Sequence, residues 1–246
     1  MTLRTLVCGP EPDADRGART GERVSTSTSQ GALESSGKPL IRCDSAQASR
    51  RAVLYVQAVG DPLPPADLTT WFTERAFHFY VAGLRPPARA MRSARHAGRG
   101  LRAAFSELDG ACAQLRQADG MASVIVTAQG RAAAAAALWA GRTRPDDGPA
   151  AQADALILSA PAWAARRDLR LNISCPVLVM ASEGVGTTAG RAWSRGWRAR
   201  VQPMQLGSHV TWLALPDAGA DRRAYLAELG RWLGAYMYGQ ARDQLL

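Results

Sequence analysis

The chain is poor in the residues that build metal centres and disulfide frameworks. Its four cysteines (Cys8, Cys43, Cys112, Cys175) are scattered without a CxxC spacing and stand beside none of the three histidines. Zinc ribbons and disulfide-stapled scaffolds are therefore excluded, and the thiols read as small buried or incidental side chains. No metal and no cofactor is expected. No stretch approaches the roughly 18 consecutive apolar residues of a membrane-spanning helix; the longest apolar tract, Ala132 to Ala140, is mostly alanine. Gly9 and Pro10 interrupt the N-terminal apolar residues before a signal-peptide core can form, which predicts a cytoplasmic protein. Lysine is nearly missing as well. Among 30 basic residues only Lys38 is a lysine, and the other 29 are arginines, giving a net charge of +9. Such a charge invites an anionic partner. A chain rich in Arg, Ala and Gly also has the composition of a GC-rich coding sequence, which needs no partner to explain it.

What remains is ample for a core. At 246 residues and 47% hydrophobic content the chain suits one large domain. Residues 1–45 are rich in Gly, Ser, Thr, Asp and Arg and lack apolar periodicity, so they read as a flexible leader with a short strand near Pro39 to Arg42. Residues 46–246 form the domain. Short, wholly apolar runs predict buried strands at Ala52–Val56, Phe77–Ala82, Ser123–Thr127, Asp154–Ser159, Pro176–Ala181 and Val210–Leu215. Helical spacing predicts helices at Ala66–Arg75, Gly100–Ala118, Ala132–Ala140 and Gly219–Tyr238. The alternation predicts an α/β fold with a mostly parallel, doubly wound sheet.

Several blocks, in order, resemble one family. Arg51-AVLYVQAVGD-Pro62 and Asp67-LTTWFTERAFHFYVAGLR resemble the opening of α/β-hydrolases of the serine-aminopeptidase and monoacylglycerol-lipase-like branch. Val124-IVTAQGRAAAAAALWA resembles their strand–elbow–helix segment, and Ala155-LILSAPAW, Ile173-SCPVLVM and Arg223-AYLAELGRWLGAYM resemble later strands and the last helix. The resemblance implies a hydrolase fold with a reduced lid, since only residues 164–172 separate Trp163 from Ile173.

The family's chemistry needs a serine on a strained strand-to-helix turn, a histidine base, an orienting acid and oxyanion amides. The resemblance aligns the elbow with Ala128-Gln129-Gly130-Arg131-Ala132, so that Gly130 stands at the serine position; a register shifted by two puts Ala128 there. Neither can attack a carbonyl, and glycine adopts the strained turn without penalty. The oxyanion segment reads Gln57-Ala58, and Glu183 is the carboxylate of the acid loop. No histidine follows the sixth strand; His209 precedes it, and a looser alignment makes it the base. Ser208 and His209 would point to opposite faces of a strand and cannot pair. His78 belongs at a strand edge or helix–sheet boundary and His96 in a loop.

The resemblance therefore implies a catalytically impaired relative of carboxylester or acylglycerol hydrolases. Its cleft would lie around Gln57, Ala58, Gln129, Gly130 and Arg131 and take a small apolar or ester-like ligand. Two alternatives stand beside it. One is an active hydrolase with a rearranged site using His209. The other is an anion- or partner-binding module using Arg85, Arg89, Arg92, Arg95, Arg99 and Arg102, which recur without an intervening acid. Pro86, Pro87, Gly98 and Gly100 predict a basic loop there rather than a helix. Oligomeric state is not legible.

Overall fold

Apolar runs such as Val124–Val126 and Leu156–Leu158 have no polar face to offer water, so they need helices on both sides. A computed structural model, which describes residues 40–58, 64–84, 94–142, 152–160, 173–182, 210–215 and 222–243, supplies them. The strands are β1 (Ile41–Cys43), β2 (Arg51–Ala58), β3 (His78–Leu84), β4 (Ser123–Gln129), β5 (Ala155–Ser159), β6 (Val177–Ser182) and β7 (Val210–Leu215). The helices are α1 (Ala66–Thr73), α2 (Ala94–Ala113), α3 (Gly130–Ala140) and α4 (Arg222–Asp243). Together the strands make one seven-stranded sheet in the order β1-β3-β2-β4-β5-β6-β7. All neighbours are parallel except β1, which runs antiparallel along β3 and begins the sheet at Ile41. The expected α/β architecture is present.

Alternation along β2 divides the core. Ala52, Leu54 and Val56 join Leu108, Cys112, Leu115 and Trp139 on the face covered by α2 and α3. Val53 and Tyr55 join Phe72, Phe79, Leu229 and Leu233 on the face covered by α1 and α4. The alanines of α3 let that helix lie close to the sheet: Ala132, Ala133, Ala136 and Ala137 are all buried. Its far end is tied to α2, because Trp139 Nε1 donates to Asp109 Oδ1 at 2.6 Å and Arg142 pairs with the same carboxylate.

Two expectations need correction. The helix expected from Gly100 starts at Ala94, so Gly98, Gly100 and His96 are helical rather than in a loop. Each mid-helix glycine costs about 1 kcal/mol relative to alanine, and burial of Ala104, Leu108, Ala111 and Cys112 outweighs it. The helix then loosens into a π-helical turn, Gln114–Ala118, before β4. Cysteine chemistry is the other correction. Cys112 and Cys175 are free, but Cys43, at the end of the edge strand, is disulfide-bonded rather than an incidental thiol. No described helix is long and apolar enough to cross a membrane.

Candidate functional site

In a parallel sheet the loops at the carboxyl ends of the strands converge, and the strand order here changes direction beside β2 and β4. Val56 pairs with Ala128, so Gln57 and Gln129 follow one residue further on at the carboxyl ends of adjacent strands. The structure thus brings Gln57, Ala58, Gln129, Gly130 and Arg131 to one edge of the sheet. Gln129 and Arg131 are exposed, and Gln57 is half-buried with its Oε1 shielded and without a hydrogen-bond partner.

Between β4 and α3 the chain turns with no intervening loop. Gln129 is extended (φ −124, ψ 150) and Gly130, the first residue of α3, has a φ of 58. This is the left-handed region, which side chains other than glycine enter only at a cost. A Cβ built at Gly130 would meet no heavy atom within 4 Å, so the turn has room for a side chain and lacks one. Ala128, the residue of the shifted register, is buried inside β4 and points into the core.

A neighbouring constellation escaped the sequence reading. Ser159 at the end of β5, paired in register with Gln129, shares a hydrogen bond with the Tyr225 hydroxyl at 3.0 Å. The Arg222 guanidinium lies 4.8 Å from the centroid of the Tyr225 ring and donates from Nε to Asp67 Oδ2 at 2.7 Å. This chain of contacts joins the first turns of α1 and α4 to the sheet. Burial pushes the Tyr225 phenol above its ordinary pKa, an effect the Ser159 hydrogen bond only partly offsets. The phenol therefore stays protonated at neutral pH and cannot act as the base that a nucleophilic Ser159 would need. Nothing in the sequence signals the pair, because the two residues stand 66 positions apart.

Glu183 and His209 lie outside the described residues, as do the shortened lid stretch, Arg85, Arg89 and Arg92. Arg95, Arg99 and Arg102 fall within α2. His78 stands at the amino end of β3, far from the Gly130 edge, with Nε2 donating to Ser49 O at 3.1 Å and Nδ1 2.9 Å from Asp44 Oδ1. Among the described residues no cluster of three or more His, Cys, Asp or Glu could hold a metal.

No family model and no curated protein matches the sequence. Solved structures do. Native esterase 2 of Thermogutta terrifontis is 13% identical with a TM-score of 0.53, covering 80% of this chain and 87% of that one. The propionate-bound form of that esterase gives 12% identity and a TM-score of 0.54 over 80% and 89%. The form phosphoramylated by tabun gives 13% and 0.53 over 80% and 89%. The fold is of the α/β-hydrolase type. At such low identity the α/β-hydrolase likeness is one of backbone, and it carries no residue role with it.

Proposed function

We propose that this α/β-hydrolase-fold protein does not hydrolyse esters and instead holds a small apolar or ester-like molecule at the carboxyl edge of its sheet. One observation carries the reading. The strand-to-helix turn keeps its left-handed backbone at Gly130 (φ 58), the position the sequence resemblance aligns with the nucleophile, yet offers no atom that could attack a carbonyl. Hydrolysis on this scaffold also needs a base oriented by an acid. The only serine–hydroxyl pair described at this edge, Ser159 with Tyr225, lacks a group able to take its proton. The esterase of similar fold has been captured with propionate and butyrate, and with organophosphates attached, which suggests short acyl compounds as the first ligands to try.

The test is covalent labelling. A fluorophosphonate probe should add no mass to the intact protein, and p-nitrophenyl esters should turn over no faster than on an unrelated protein surface. Binding and oxyanion donors alone can leave a residual rate about 10³-fold above water, so a small unsaturable rate fits the reading. Saturable turnover abolished by His209→Ala, or probe adduct mapped to a serine, overturns it.

A further inference from the structure

One described cavity lies nowhere near Gly130. It is an open cleft of about 820 Å³ at the opposite, amino-terminal edge of the sheet, where the segments leading into β2, β3, β4 and β5 meet the last turns of α4. Three arginines line it: Arg50 just ahead of β2, Arg51 at its first residue, and Arg75 after α1.

Each guanidinium is held by a neutral group and left with spare donors. Arg50 Nε donates to Gly120 O at 2.9 Å. Arg51 sits 5.9 Å from the Phe77 ring centroid. Arg75 lies 4.1 Å from the Trp71 centroid and donates to Trp71 O at 3.0 Å. Two carboxylates also line the cleft, and neither neutralises this set. Asp154 is taken up by Arg116 Nη2 at 2.7 Å and by the Val124 amide at 2.6 Å. Glu74 reaches Arg75 only at 3.9 Å, with both side chains about half exposed, a pairing worth little in water.

The wall that carries Arg50 and Arg51 is fixed in advance. The Arg50 carbonyl accepts the amides of Ala122 and Ser123, the Ser49 hydroxyl spans from Ala76 O to the Arg51 amide, and His78 holds Ser49 from below. Guanidinium groups anchored on aromatic faces and backbone lose little freedom when they engage a ligand. A monocarboxylate would satisfy one such fork. Phosphate carries up to two charges and several strong acceptor oxygens, which suits a cleft lined by three guanidinium groups.

We propose that this cleft is a second binding site, for a phosphate-bearing small molecule, separate from the Gly130 edge and independent of any activity there. Calorimetric titration with inorganic pyrophosphate, at constant ionic strength made up with sodium chloride, tests it. The wild-type chain should bind saturably. Arg51→Gln with Arg75→Gln should weaken binding at least about tenfold, since two charge-assisted contacts are lost together. Arg223→Gln with Arg231→Gln removes the same charge from exposed positions outside the cleft and should change affinity less than about twofold. Should the glutamine pair fail to fold, Arg51→Lys with Arg75→Lys keeps the charge, loses the fork and should still weaken binding measurably. Absence of saturable binding, or equal losses in the cleft and control variants, overturns the proposal.

Discussion

At Gly130 the backbone, and not the surrounding space, sets the cost of change. A Cβ there touches nothing, so Gly130→Ala and Gly130→Ser should each lose about 1–3 kcal/mol from left-handed strain alone. Equal drops in melting temperature for the two variants are expected, with no esterase activity gained by the serine. A serine variant that acquires turnover would sink the reading of this edge as non-catalytic. Cys175 gives a second test on the same scale. Burial pushes its thiol up to about 12, more than a backbone hydrogen bond lowers it. Thiolate is the reacting species, so iodoacetamide at pH 8 should leave Cys175 unmodified in the native protein and alkylate it quickly in urea. Rapid native labelling would show a thiol that ionises in its ordinary range instead.

Among the elements, α4 is attached chiefly by side chains rather than by its neighbours in sequence. Tyr225, Leu229 and Leu233 bury one stripe of it against β5 and β6 residues and α1. Leu229→Ala should therefore cost about 2–5 kcal/mol, read as a lower urea midpoint. Trp139→Phe keeps the packing of α3 but removes the indole donor to the Asp109 carboxylate, at about 1–3 kcal/mol. These stripes and the buried strands were legible because hydrophobic period survives into the fold: Val210–Leu215 is a strand at both levels. Propensity misled at α2, where Gly98 and Gly100 signalled a break that tertiary burial overrode. The Ser159–Tyr225 pair and the arginine cleft were illegible for another reason. They assemble from separate chain segments, and no local pattern records which strand ends become neighbours.

For the whole molecule, acid should act first where charge ties the edge strand to the sheet. Burial alone would raise the Asp44 carboxyl, but the hydrogen bond and charge of Arg42, joined by His78, hold it below the usual carboxylate range. A carboxylate with a depressed folded pKa adds stability above its unfolded value, about 3.9, and loses it as pH falls through the folded one. The melting temperature should thus fall below about pH 4, and Asp44→Asn should flatten that fall. An unchanged acid profile in the variant would assign the loss to other carboxylates. The course of α4 has a separate, practical consequence. It begins beside the Ser159–Tyr225 pair at the carboxyl edge and reaches the arginine cleft at Met237. A protein captured on a sensor surface through a handle at exposed Ala235 therefore turns the arginines to the matrix and presents the Gly130 edge to solution. Capture through a handle at exposed Arg131 reverses the two, so a pair of oppositely tethered chips distinguishes ligands of one edge from ligands of the other.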